Sequence, residues 1–577
     1  MDHSVEVLTL TKEYMLLRCG PFTVFYENGF LRHLKHGDDE ILRMIYFALR
    51  DENWGTFKVE IEDEKISHAN SGFVITYSAV NRQGEENLFV WDVKIEGSNQ
   101  GIISMSIDGE AKASLKKNRA GFCVLHPLRG IFNQPVEITH PDGTRTTSLF
   151  PEFVDPENPF KEIQSMRWCF AKHWYELSFS GDIFETEDQR NWTDASYKTF
   201  CTPLRLPFPV ELEKGKRISQ QVIFKPVDAL LFKEPAEQIT IRRIAGTNKP
   251  LPRIGVGVSP HRSLTMTHAN LIRALKLDHL RIDIRLYETT WFSQLESQIM
   301  ALSACDTAVE LALHLGANAE ASIGALANYL KENKIPVRQV LLFSQGQLTT
   351  LQSHITLAHI IHQHFPGAFM GAGTDHNFTE LNRHRFKADA LDFVSFAIDP
   401  QEHATDSLTI VENLEAQTDT IRSAYKIYER SVHVSPVALK RRSNPYATNP
   451  TKMDVPESEQ SDPRQATDFC AAWTLGSIKA ASVGNASSVT YHQVAGPLGI
   501  TQDEKALPVY HALKQIQALR HLVIENCESS HPLVADAILF NNGDLLVWNY
   551  TGDEQRVTLP DGKEFIMKGF AFELVFR

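Results

Sequence analysis

The chain has 577 residues, with 58 Lys and Arg against 71 Asp and Glu, for a formal net charge of −13. At about 150 residues per domain, the length suggests about three to four domains, or fewer if one is a large barrel. The 42% hydrophobic and 22% charged content is that of a globular protein with material for several cores. An acidic balance without a dense basic run argues against nucleic acid and against an anionic membrane surface as partners.

Seven cysteines (Cys19, Cys123, Cys169, Cys201, Cys305, Cys470 and Cys527) are scattered and show no C-x-x-C spacing. Neither a disulfide framework nor a structural zinc site is indicated, and a reducing compartment is expected. The amino terminus, MDHSVEVLTLTKEYMLLRCGPF, is acidic and alternates like a strand, unlike a secretory leader. No stretch approaches the roughly eighteen apolar residues of a membrane span. The expectation is a cytoplasmic protein.

From Met1 to about Lys225 the text reads as strand after strand: VEVLTL, FTVFYENG, FKVEIEDEK, SGFVITYSAV, FVWDVKIEG and GIISMSIDGEA alternate apolar and polar residues between Gly, Asn and Asp turns. One-sided alternation is produced by antiparallel sheets with one packed and one wet face. A large β-sandwich over residues 1–235 is predicted, with Pro226 and Pro235 marking its exit.

The rhythm then changes. IGVGVS, HLRIDIRL, AVELALHLG, VRQVLLFS, AFMGAGTD, LDFVSFAID, VHVSPVAL and SSVTYHQ are short, nearly continuous apolar runs. Amphipathic segments such as LESQIMALSACD, IGALANYLKEN and DSLTIVENLEAQTDTIRSAYKIYE lie between them. Eight such runs fit a (β/α)8 TIM barrel, typically about 250 residues, here placed at 250–505. A doubly wound open sheet is the rival, but no G-x-G-x-x-G follows the first run. Residues 506–577 open on YHALKQIQALR and return to alternating text with Asn-Gly-Asp and Pro-Asp-Gly turns, which predicts a small antiparallel β domain.

Functional side chains of such a barrel cluster where its strands end. Strand one ends in Ser259-Pro260-His261-Arg262. Strand two carries Arg281, Asp283 and Arg285 at alternate positions, so that all three share a face. His314 ends strand three and Ser344-Gln345 strand four. Strand five runs into Thr374-Asp375-His376-Asn377-Phe378-Thr379-Glu380-Leu381-Asn382-Arg383, a polar stretch longer than a connection of about two to six residues requires. Strand six ends in Asp399-Pro400-Gln401-Glu402-His403, strand seven in Lys440-Arg441-Arg442 and then Asn444-Pro445-Tyr446, and strand eight in Tyr491-His492-Gln493.

A barrel glycosidase commonly places one Glu after strand four and another on strand seven. Those places hold Ser344-Gln345 and a basic cluster, which disfavours that layout, although Asp375 or Glu380 with Asp399 or Glu402 could form another carboxyl pair. His-x-His on strand one, the usual signature of a binuclear metal hydrolase, is absent; His314, His376, His403 and His492 leave a metal open, but their spacing signal is weak and none is assigned. The remaining kit of carboxylates, histidines and basic donors suits hydrolysis of a sugar-derived ester or lactone: a base for water, donors for an oxyanion and an acid for the leaving alkoxide. Structural readings stand beside these: a hydrogen-bonded histidine at a strand end, a buried ion-pair network around Asp283, and Asp399 simply starting a turn.

Two sandwich stretches crowd charge around an Asn-Trp pair: ETEDQRNWTDASYKTF from Glu185, and LRDENWGT from Leu49. Either is a polar turn with a covering Trp, or an aromatic platform reaching the barrel mouth for a polyol ligand.

EDQRNWTDASYKTF, GFCVLHPLRG followed by PVEITHPDG, and ILRMIYFALRDENWGT together resemble the D-apionate lactonase family of bacterial apiose catabolism. The resemblance spans nearly the whole chain. It implies an amino-terminal β domain, a TIM barrel, a carboxy-terminal β domain, and hydrolysis of D-apionolactone to D-apionate; it carries over no catalytic residue.

The reading is therefore a sugar-acid lactonase with its site at the top of the barrel. Asp375 or Glu380 is the expected base, with His376 or His403 as acid–base partner. Arg281, Asp283, Asp399, Tyr491 and His492 are expected to shape the pocket, and Arg190, Asn191 and Trp192 to close it. The partner is a small sugar lactone, with no cofactor, metal, nucleic acid or membrane called for, and nothing fixes an oligomeric state. The alternatives are a glycoside hydrolase of unusual carboxylate placement and a non-catalytic carbohydrate-binding barrel.

Overall fold

The computed structural model describes residues 14–69, 72–316, 319–446 and 455–576. The expected strand VEVLTL lies outside the described residues. The chain divides into two compact units: residues 12–189 with 195–237, and residues 238–577, to which the short segment Arg190–Asp194 belongs.

The amino-terminal unit holds two nine-stranded antiparallel sheets. Alternation sets their two faces: in Ile103–Ala111 buried residues follow one another at every second position, as period-two pleating requires. The buried faces meet through aromatic side chains, with Phe22 edge-on to Phe224 at 5.4 Å and Phe47 against Trp91 at 5.3 Å. The turn before Phe30 needs left-handed backbone at Asn28 and Gly29, the residues that tolerate it best.

The second unit is built on a closed barrel of eight parallel strands: Arg253–Gly257, His279–Arg285, Val309–Leu315, Val337–Ser344, Phe369–Gly373, Phe393–Ile398, Ser431–Val437 and Ser488–Gln493. The first strand pairs with the last in register, Ile254 opposite Val489. These are the eight apolar runs of the sequence. Small residues make room for large neighbours inside: a Cβ on Gly255 would stand 2.1 Å from the His279 ring, whose Nε2 is hydrogen-bonded to Thr490 Oγ1 at 2.8 Å. The longest helix, Asp468–Gly484, is buried on nearly every side, because helices Leu414–Tyr428 and Pro508–Ala518 both pack on it.

The carboxy-terminal strands form antiparallel hairpins at the Asn-Gly-Asp and Pro-Asp-Gly turns, Ala535–Phe540 with Leu545–Asn549 and Gln555–Thr558 with Glu564–Met567. Residues ahead of the barrel join them. Ile239–Arg243 pairs with Cys527–Ser529 and with Gln555–Thr558, and Ile239 and Ile241 enter the same core as Leu539, Val547, Val557 and Met567. Among the described residues no helix is long and apolar enough to cross a membrane.

Candidate active site

The polar strand ends converge as the periodicity requires. A narrow cavity lies at the carboxyl ends of strands five, six and seven. Asp375, His376, Asn377 and Glu380 from strand five, Asp399 and Glu402 from strand six, and Lys440, Arg441, Arg442, Ser443 and Tyr446 from strand seven line it, with Trp192.

Beneath it lies a charge network. Arg281, fully buried, donates from Nη2 to Asp283 Oδ1 at 2.6 Å and to Asp375 Oδ1 at 2.7 Å, and from Nη1 to the Ser435 carbonyl at 2.6 Å. Arg442 approaches the same two carboxylates, at 3.2 Å from Asp283 and 3.6 Å from Asp375. Burial alone would raise both acids, but the two guanidiniums outweigh it and hold Asp375 below, and Asp283 well below, the usual carboxylate range. Deeper still, Glu310 accepts from Ser435 and from Gln339.

Asp283, His314 and Asp375 each offer an atom close enough to hold one metal ion. The donor set fits poorly. Both carboxylates are already neutralised by Arg281 and Arg442, and a divalent cation would have to displace those bonds and accept two nearby guanidiniums.

Glu380 has a different environment. It sits in the first turn of the short helix Phe378–Arg383 and is fully buried, and among the described residues no hydrogen bond of good geometry reaches either carboxylate oxygen. Burial pushes its carboxyl up to about 7, with the Tyr446 hydroxyl and the Arg383 guanidinium pulling only part of the way back. His384 Nε2 stands 3.6 Å from Oε2. Asp399 is raised well above its ordinary value, first by burial and then by the Glu402 carboxylate beside it. Glu402 accepts from the Asn377 amide at 2.7 Å and from Arg441 at 3.3 Å.

The two expected histidines are placed differently. His376 lines the cavity, its Nδ1 hydrogen-bonded to Ser443 Oγ at 2.5 Å. His403 is outside the described cavity wall, paired through Nδ1 with Asp194 at 2.5 Å, and Asp194 also accepts from Asn413.

The Asn-Trp motif divides likewise. Trp192 lines the cavity, with Tyr446 edge-on at 5.5 Å and the Arg383 guanidinium over its ring at 5.6 Å. Arg190 is fully buried and pairs with Asp419 at 3.1 Å, and Asn191 accepts from the Asn382 amide at 3.0 Å. These two hold the segment while Trp192 faces the ligand space. The second motif is a turn: Asp51 Oδ1 accepts from the Asn53 and Gly55 amides, and Trp54 packs on Phe208.

Tyr491 and His492, expected to shape the pocket, are held against helix Asp468–Gly484. The Tyr491 hydroxyl donates to Ser477 Oγ at 2.9 Å, and His492 Nε2 is hydrogen-bonded to Thr474 at 3.0 Å, with burial lowering the imidazole to about 4. Ordinary alternation turns Tyr491 outward, since Thr490 before it bonds inside the barrel to His279; a register shift just after Tyr491 and a left-handed His492, with φ of 50°, turn His492 toward the helix as well.

Sequence reasoning left out Lys440, Arg442, Ser443 and Tyr446 as individual site residues, although their basic run was conspicuous. Glu402, three residues after Asp399, was visible only as a possible half of a glycosidase pair.

The amino-terminal domain model of D-apionate lactonase matches residues 5–228, and its TIM-barrel domain model matches residues 254–521. The chain belongs to the D-apionate lactonase family. A D-apionate lactonase of Brucella anthropi is 28% identical to it over 97% of this chain and 96% of its own length. Among solved structures, a family GH30 endoxylanase from Clostridium papyrosolvens is similar over 57% of this chain and 89% of its own, at 11% identity and a TM-score of 0.37. A β-arabinopyranosidase covers 97% of this chain and 98% of its own at 10% identity and a TM-score of 0.28. The two matches thus coincide with the sandwich and the barrel, and the named cavity residues lie within the matched barrel segment except Trp192, which falls in the amino-terminal match.

Proposed function

We propose that this protein is a carboxylic-ester hydrolase of carbohydrate catabolism that opens a sugar-acid lactone, D-apionolactone to D-apionate, in the cytoplasm. Membership of the lactonase family supports the reaction class. The single observation that carries the site is Glu380, a buried carboxyl raised to about 7 in a cavity wall that also carries Lys440, Arg441 and Arg442.

A carboxylate whose proton affinity is matched to neutral pH is suited to activating water, because a base must be both deprotonated and basic at the working pH. Glu380 meets that condition and Asp375 does not. Asp375 is committed to Arg281 and Arg442, and its role is to hold those guanidiniums toward the cavity. Water activated by Glu380 adds to the lactone carbonyl. Lys440 and Arg442 offset the negative charge that develops on the carbonyl oxygen and hold the carboxylate formed on ring opening. His376, kept in place by Ser443, shapes the polar wall of the same cavity. The Trp192 ring supplies an apolar face against which the C–H face of a sugar ring packs.

Proton release in weak buffer tests this reading, with D-apionolactone as substrate and aryl glycosides in parallel. Acidification above the spontaneous lactone rate, lost by about 10²–10⁴-fold in Glu380→Gln, is the expected result. Aglycone release without acidification would make the protein a glycosidase. Tight sugar binding with neither signal would make it a binding protein.

A further inference from the structure

The lactonase reading leaves the leaving group without a proton donor. Ring opening breaks a C–O bond to an alkoxide, a poor leaving group unless it is protonated as it departs. Neither expected histidine is placed to supply that proton, since His403 is bound to Asp194 outside the cavity wall and His376 is engaged with Ser443.

The Asp399 and Glu402 carboxyls stand beside one another in the cavity wall, where a single proton between them is favoured over two adjacent negative charges. The donors decide which. Glu402 accepts from the Asn377 amide through Oε1 and from Arg441 through Oε2, so both its oxygens are already occupied by donors and have no need of a proton. Asp399 is buried and accepts only from the Gln401 backbone amide at 3.3 Å among the described hydrogen bonds. The proton therefore resides on Asp399. Its loop is pinned on both sides: the Gln401 side chain donates to the Leu439 carbonyl and to Asp462, and the Pro400 carbonyl accepts from Asn413. Glu380, buried beside the Tyr446 hydroxyl and His384, lines the same cavity.

Resting on the lactonase reading, we propose that Asp399, with Glu402 as its proton-sharing partner, is the general acid that protonates the ring oxygen as the lactone opens. Water adds to the carbonyl carbon while one of its protons passes to Glu380. The tetrahedral adduct collapses, the bond from that carbon to the ring oxygen breaks, and the electron pair goes to the oxygen, which takes the Asp399 proton. The product leaves as a hydroxy acid whose carboxyl gives up its proton. One proton returns to Asp399, that on Glu380 goes to solvent, and the sum is lactone plus water giving hydroxycarboxylate plus one proton. The charged groups sharing the cavity with Asp399 are Glu402, Arg441, His376, Glu380, Lys440 and Arg442. Of these the Glu402 anion raises its proton affinity and Arg441 lowers it.

The test is the pH profile of kcat/KM for D-apionolactone in the full-length protein, wild type against Asp399→Asn and Glu402→Gln, with unfolding temperatures measured alongside. Wild-type turnover checks the lactonase reading; only the variants check the acid. Asp399→Asn should lose about 10²–10⁴-fold and lack an alkaline limb. Glu402→Gln removes the anion that raises Asp399, so its alkaline limb should move to lower pH by about one unit or more. Infrared difference spectra of Glu380→Gln, taken at pH values above the ordinary carboxylate range, should show a protonated-carboxyl C=O stretch that adding Asp399→Asn abolishes. The proposal is overturned if folded Asp399→Asn keeps kcat within about threefold of wild type, or if the alkaline limb stays in place in Glu402→Gln.

Discussion

Two sets of buried acids stand at one end of the same barrel and have opposite fates. Asp283 and Asp375 lie among guanidiniums and are held as anions, whereas Glu380 and Asp399 line the cavity and are driven toward their protonated forms. Desolvation acts in the same direction on all four. What separates them is where Arg281 and Arg442 point, since both reach the first pair and neither is bonded to the second. Burial by itself makes a carboxyl a proton carrier, and pairing makes it a fixture.

The sharpest way to break that contrast is to remove a member of the paired set. Asp375→Asn leaves Arg281 and Arg442 with Asp283 as their shared counter-charge, and removing one partner from a buried pair is worth about 3–5 kcal/mol. Urea unfolding near neutral pH should show a loss of that size. A variant as stable as wild type would mean that the network is solvated.

The unpaired set should respond with the opposite sign. Glu380 binds its proton more tightly when folded than when unfolded, so its contribution to stability is fully present below about pH 4.5 and is lost as the pH rises through about 7. At 1.36 kcal/mol per unit, a shift from 4.5 to about 7 corresponds to a deficit on the order of 3 kcal/mol above that range. Glu380→Gln, which cannot ionise, should therefore be more stable than wild type at about pH 8 and show no such gain below about pH 4.5. Equal stability at both pH values would remove the reason for choosing Glu380 over Asp375 as the base.

Much of this is legible in the sequence alone. Alternation in the first 225 residues, eight apolar runs, and the polar excess between Thr374 and Arg383 lead to the sandwich, the barrel and the cavity loop. The two fates of the acids are not legible, because they depend on Arg281 and Arg442 converging from strands more than 150 residues apart, a meeting set by barrel closure. The same is true of Ile239–Arg243, whose partners lie near the other end of the chain. His492 is misplaced by sequence reasoning for a local reason: one irregularity in a period-two strand changes which side a residue faces, and composition does not announce a bulge, whereas Tyr491 faces out by the plain alternation that puts Thr490 inside.

A smaller effect is expected at the cavity's aromatic wall. Trp192 touches ligand space, whereas its neighbours Arg190 and Asn191 are buried and bonded within the barrel unit. Trp192→Ala should raise KM by about tenfold with little change in kcat, the signature of lost ground-state packing worth about 1.4 kcal/mol. A kcat loss with unchanged KM would instead make the ring part of transition-state positioning.

The smallest effect separates the strand-eight residues from the site. The Tyr491 hydroxyl makes one buried hydrogen bond, to Ser477, and nothing in its placement reaches the cavity wall. Tyr491→Phe deletes that bond, whose net worth is about 1 kcal/mol, and leaves Ser477 able to keep its own bond to Gln417. Thermal unfolding should fall by a few degrees at most while kcat/KM on the lactone stays at the wild-type value. If kcat/KM fell instead, helix Asp468–Gly484 would have to transmit the loss across the barrel wall, and the line drawn between acids that act and residues that hold would need to include that helix.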